Sequence, residues 1–176
     1  MALDATQLTA NARLGDHISI ARAFHHTGYT VSDLDRSLEF YQGLLGLEVL
    51  ARQEKQGGYL AAIVGYPDAH VRMAHLRVPG ADHVLELFQY LAPEGEQRGR
   101  IEPRDVGTAH LCLVVDDLPA VYRRLLAAGV ETFVSPPVEV DTGINTGGFG
   151  LYLRDPDGIL VEIFQPPAQR AAGADR

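Results

Sequence analysis

The chain has 176 residues, a formal net charge of −8 and the apolar fraction of a globular protein. The acidic balance and the lack of a basic run argue against nucleic acid or an anionic membrane surface as the main partner. The single cysteine, Cys112, excludes an internal disulfide framework and fits a reducing, cytoplasmic setting. The first twenty residues carry Asp4 and Asp16 without a long apolar core, so neither a signal peptide nor a membrane span is expected there.

In chain order, residues 1–22 read as an N-terminal arm, with a short helix and an edge strand around His17–Ile20. A first module spans 23–91. It opens with a strand from Phe24 to Val31, and Ser32 or Asp33 caps a helix that carries Leu34, Leu38, Tyr41 and Leu45 on one stripe. Gly46 stops that helix. Strands follow at Leu47–Gln53, His70–Val78 and Asp82–Leu91, with a short helix at Tyr59–Val64. Residues 92–106, rich in Gly, Pro and charge, form a linker. A second module, 107–165, repeats the plan. It has a strand at Thr108–Val115, a helix at Leu118–Ala128 stopped by Gly129, and an edge strand at Glu131–Ser135 interrupted by Pro136-Pro137. A glycine-rich loop, Thr142–Gly148, comes next, as a lid or a plain hairpin loop. It lacks the lysine of a phosphate-cradling loop. Strands at Phe149–Arg154 and Ile159–Gln165 flank the turn Asp155-Pro156-Asp157-Gly158. Residues 166–176 read as a flexible tail. The fold class is therefore α+β: paired βαβββ modules forming a cup-shaped, barrel-like mixed sheet.

Two echoes join the halves. Leu85-Glu86-Leu87-Phe88-Gln89 is answered by Val161-Glu162-Ile163-Phe164-Gln165, and His26 with Val31, Asp33 and Leu34 is answered by His110 with Val115, Asp117 and Leu118. Alternate strand residues share a face, so Glu86 shares one with Val84 and Phe88, and Glu162 with Leu160 and Phe164. An apolar setting makes a carboxylate costly unless something compensates it. Two such glutamates in matching places, each in a module that opens on histidine, point to a shared cation. Among the remaining histidines, His25 should point to the opposite sheet face and be structural. For His75, mid-strand, packing is favoured over a place in the cup. His17, His70 and His83 read as surface or packing residues. Cys112 shares the face of His110, near the predicted ion or simply buried. Arg98, Arg100 and Arg104 read as a solvated linker rather than an anion clamp.

These motifs resemble the vicinal oxygen chelate superfamily, which includes glyoxalase I, methylmalonyl-CoA epimerase, extradiol dioxygenases and the bleomycin and fosfomycin resistance proteins. The resemblance rests on His26-x-x-x-x-Val31-Ser32-Asp33-Leu34, Ser37-x-x-Phe40-Tyr41, Leu45-Gly46-Leu47, His110-x-x-x-x-Val115-Asp116-Asp117 and Asp155-Pro156-Asp157-Gly158-x-x-x-Glu162. It implies one divalent transition metal (Zn, Ni, Co, Mn or Fe) on His26, Glu86, His110 and Glu162, a set resembling that of glyoxalase I. It also implies a homodimer and a small-molecule substrate with two neighbouring oxygens. The implied activity is that of an isomerase or lyase: proton transfer through an enediolate stabilised by the ion, with Glu86 or Glu162 as the base. The alternatives are an Fe(II) extradiol ring-cleaving dioxygenase and a non-catalytic binding or resistance protein. Thr30 and Tyr90 stand where bacterial glyoxalase I has a glutathione-binding arginine and an asparagine, which argues against glutathione as the substrate handle.

Overall fold

The computed structural model describes residues 22–96, 99 and 101–168. Apart from Arg22, the predicted N-terminal arm lies outside these residues, as do Arg98, Arg100 and most of the predicted tail. The first module runs β1 (His26–Thr30), α1 (Leu34–Leu38), a π-helical segment (Glu39–Leu44), β2 (Glu48–Gln56), α2 (Gly58–Val64), β3 (His70–Arg77) and β4 (Val84–Ala92). The second runs β5 (His110–Val114), α3 (Leu118–Ala127), β6 (Val138–Glu139), β7 (Phe149–Arg154) and β8 (Leu160–Gln165). Two four-stranded sheets result, ordered β1-β4-β3-β2 and β5-β8-β7-β6. In each, the first and last strands of the module pair in parallel and the other pairs are antiparallel. The sheets are not hydrogen-bonded into one another, so the modules pair without closing a barrel.

The duplicated stretches do the same local work twice. Asp33 and Asp117 cap their helices through the side chain, Asp33 accepting from the Asp35 and Arg36 amides and Asp117 from the Ala120 amide. Gln89 and Gln165, the last residues of the two echoed stretches, accept from the first helical amides, Leu34 at 3.2 Å and Leu118 at 2.8 Å. The amide of Val31 donates to the carbonyl of Phe88, and that of Val115 to Phe164. Gly46 and Gly129 end the helices at φ 78° and 82°, in the left-handed region that suits glycine.

One core serves both modules. Leu34, Leu38 and Tyr41 pack with Leu85 and Leu87 from β4, and with Leu111, Leu113, Leu151, Val161 and Ile163 from the second sheet. Burying each such side chain contributes about 1.5–3 kcal/mol. The polar link between modules is the Asp155–Gly158 turn. Tyr41 donates its hydroxyl to Asp155 Oδ2 at 3.0 Å, with both side chains buried. Asp155 Oδ1 accepts the amides of Asp157 and Ile159. Asp157 in turn accepts from the Ser32 amide at 2.9 Å and from Arg36 at 2.8 Å. Burial is the main reason the Asp155 carboxyl titrates above its ordinary range. Arg154, also buried, ties the linker to this module through the carbonyl of Ile101 and the Glu102 carboxylate.

Two expectations change. The helix predicted through Leu45 is α-helical only to Leu38 and then widens, with the Leu45 amide reaching back five residues to Phe40. The strand predicted at Glu131–Ser135 is reduced to a single bridge, Phe133 with Leu153. The edge strand forms later, at Val138–Glu139, because Pro136 and Pro137 have no amide to donate to a ladder. The Thr142–Gly148 loop is closed by Gly147 N–H to Val140 O and Val140 N–H to Gly148 O, each at 2.8 Å, as in a hairpin loop.

Tyr41→Phe should destabilise the chain by about 1–3 kcal/mol, because the buried Asp155 oxygen loses its donor. Urea unfolding of the two proteins measures this, and an unchanged midpoint would show that the module link does not depend on the bond.

Candidate functional site

Alternation along β4 and β8 sets the site. Leu85, Leu87, Val161 and Ile163 are buried on the helix side, so Glu86 and Glu162 face the opposite, open side of each sheet. Both carboxylates are half-buried on these open faces. His26 meets Glu86, Nε2 to Oε2, at 3.2 Å, and His110 meets Glu162, Nε2 to Oε2, at 3.2 Å. The side chains of His26 and His110 are 40% and 43% exposed, those of Glu86 and Glu162 12% and 23%. The pairs thus recur with the same atoms and spacing.

The two pairs do not meet within the chain. No hydrogen bond or ion pair connects them among the described residues, and there no three His, Cys, Asp or Glu side chains converge to hold an ion. The predicted set of four is therefore present as two separate pairs.

Several neighbours escaped the sequence reading. His75 stands opposite Glu86 across the β3–β4 ladder, and its Nε2 lies 2.6 Å from Glu86 Oε1. It belongs to the open face rather than to packing alone. Tyr152 holds the equivalent place opposite Glu162, its hydroxyl 3.3 Å from Glu162 Oε2 and 3.3 Å from His110 Nε2. The available signal was hairpin register, since side chains opposite one another share a face. His25 lies outside β1, so strand alternation does not govern it. Instead of facing away, its Nδ1 sits 2.6 Å from His26 Nδ1. One of these rings must donate to the other. Cys112 stands opposite Glu162, as Gly28 stands opposite Glu86. Cys112 is exposed, which corrects its reading as simply buried; partial desolvation, then the Glu162 charge and a hydrogen bond to it, push its thiol up to about 11. The same causes raise Tyr152. His70 pairs with Glu54, and His83 stacks on Phe24 and meets Thr27, in line with surface and packing roles.

Beyond Glu86 the first open face turns apolar. Val71, Met73, Phe88 and Tyr90 lie on it and pack with Leu60 and Val64 of α2. The second carries Val114, well exposed on β5, the edge strand of its sheet among the described residues. Thr30, at the end of β1, is exposed.

Residues 23–163 match the family described as the Glyoxalase/Bleomycin resistance protein/Dioxygenase superfamily. The chain belongs to that superfamily. It is 32% identical over 157 residues to a 2-epi-5-epi-valiolone epimerase from Actinomyces sp, an alignment covering 88% of this chain and 85% of that protein. It is 35% identical over 161 residues to the lactoylglutathione lyase of Pseudomonas aeruginosa, covering 85% and 86%. A crystal structure of a glyoxalase family protein from Bacillus cereus superposes with a TM-score of 0.72 at 22% identity, covering 86% of this chain and 99% of that one. That likeness concerns the fold, with its mixed sheets and few helices. No helix among the described residues is long and apolar enough to cross a membrane.

In metal-free protein, Cys112 should react with iodoacetamide about 100-fold more slowly at pH 8 than an ordinary cysteine, with the rate rising about tenfold per pH unit towards 11. Alkylation followed by mass spectrometry checks this; a rate like that of free cysteine would show that the thiol is not held against the Glu162 carboxylate.

Proposed function

We propose that this superfamily member is a divalent-metal-dependent isomerase or lyase that moves a proton at the carbon beside a carbonyl in a small substrate with two neighbouring oxygens. The observation that carries this reading is the matched His–Glu spacing. Two donors each about 2.1 Å from one ion lie about 3.0 Å apart at a right angle and about 3.4 Å apart at a tetrahedral angle. Both pairs, at 3.2 Å, fall inside that range. Imidazole nitrogen with carboxylate oxygen suits Zn, Ni, Co, Mn or Fe. The relatives named as an epimerase and a lyase support the reaction class.

Each pair offers two donors, so a complete set would come from two chains, with His26 and Glu86 of one opposite His110 and Glu162 of the other. The open faces, and the edges of β1 and β5 that pair with no further strand among the described residues, favour such a homodimer, since unpaired edges and exposed apolar side chains such as Val114 call for cover. When bound, the ion would supply Lewis acidity to the substrate oxygens, making the adjacent C–H more acidic.

The residues divide the remaining work. Glu86 has both oxygens engaged, one with His26 and one with His75, which suits holding. The Tyr152 and His110 contacts of Glu162 both fall on Oε2, and Glu162 is the more exposed carboxylate. Glu162 is therefore the base that takes the proton and returns it, with the Tyr152 hydroxyl steadying its charge. The apolar wall of Met73, Phe88 and Tyr90 excludes water from the carbanionic carbon. Thr30 and Tyr90 give this end of the site no cation for a glutathione carboxylate.

Untagged protein should purify as a dimer holding about one transition-metal ion per chain, and the His26→Ala, His110→Ala double variant should lose the ion while staying folded. With an α-hydroxycarbonyl, hemithioacetal or cyclic hydroxyketone, solvent deuterium should enter the carbon beside the carbonyl under anaerobic conditions. Glu162→Gln should slow that exchange by about 100-fold or more. Loss of exchange in Glu86→Gln alone would move the base to Glu86. Activity that requires O₂ would instead support ring cleavage.

A further inference from the structure

The two half-sites are not equivalent, and the difference lies in what touches each carboxylate. His75 sits mid-strand in β3, between the fully buried Ala74 and Leu76, so its backbone is fixed by the core. Ladder register sets it directly across from Glu86, with Ala51 on its other side leaving the ring room. The 2.6 Å contact from Nε2 to Oε1 has the shortness of a charge-assisted bond. The other oxygen, Oε2, faces His26. A glutamate carboxylate otherwise rotates between two nearly equal orientations. In the second half Tyr152 approaches the same oxygen that faces His110, so it does not set one oxygen apart from the other.

We propose that His75 is a positioning residue for the metal centre: it occupies Glu86 Oε1 and so offers only Oε2 to the ion beside His26. This rests on the metal reading above. Its Nε2–H donates to Oε1 and leaves His75 itself outside the donor set. Partners of this kind, which orient a ligand from behind, change metal affinity by about 10–100-fold when removed.

The test is Zn²⁺ affinity of the full-length protein, measured by competition with a chromophoric chelator. His75→Leu removes the donor and keeps the bulk. It should weaken Zn²⁺ by about 10–100-fold with the thermal transition unchanged. His75→Gln returns an N–H near the Nε2 position and should recover most of that loss. In a Glu86→Gln background, His75→Leu should cause little further loss, because the histidine acts through that carboxylate. Parental affinity in His75→Leu would overturn the inference while leaving the metal reading intact. Loss of Zn²⁺ in both His75 variants as complete as in His26→Ala would also overturn it, by making His75 a ligand. A parent protein that binds no Zn²⁺ or other divalent transition ion would overturn both readings together.

Discussion

The site depends on the two-faced character of one strand type. In β4 and β8 the residues on either side of the glutamate are buried against the helices, Leu85 and Leu87 in one, Val161 and Ile163 in the other. Their burial contributes several kcal/mol per strand, and a carboxylate put in their place would add its own desolvation cost. Strand register therefore cannot slip by one residue without putting a carboxylate into the core and a leucine outside. The glutamates are pinned to the open face by the hydrophobic core behind them. The parallel partner strand then brings the histidine to the same face.

This constraint acts twice because the chain carries the unit twice. Glutamate, glutamine and phenylalanine recur at corresponding points with recurrent roles: the glutamate beside histidine, the glutamine on the helix amides, the phenylalanine carbonyl on the valine amide just past the parallel partner strand. Divergence between the copies is confined to what surrounds the pair. The first half has His25, His75, Gly28 and the α2 wall, and the second has Tyr152, Cys112 and, among the described residues, no covering helix. In the proposed reading, those neighbours are what separate the holding carboxylate, Glu86, from the proton-moving one, Glu162.

Much of this was legible in the residues. The duplicated strands, the Asp33 and Asp117 caps, the stops at Gly46 and Gly129 and the His–Glu adjacency all follow from local pattern, which is why they survive into the fold. His75 and Tyr152 were not legible, because cross-strand register depends on the bulges and turns between the strands. Two such irregularities fall in the first sheet, at Val49/Ala51 and His70/Val71. Pro136-Pro137 pushed the edge strand further along than its apolar pattern suggested. Whether the cup is built within one chain or across two was not legible either, because local pattern does not say how the modules pack. The modules pack through Tyr41, Asp155 and a shared core, and among the described residues the two His–Glu pairs do not converge.

That packing makes a metal centre shared between two chains the central claim, and subunit mixing tests it most directly. His26→Ala and His110→Ala chains, each unable to hold the ion alone, are unfolded together in equal amounts and refolded. If each centre is built across the dimer, mixed dimers carry one intact centre with His26 from one subunit and His110 from the other. Metal content should then recover to about a quarter of the parental value, since half the dimers are mixed and one of two centres in each is whole. Mixed dimers that form but take up no metal would contradict the account.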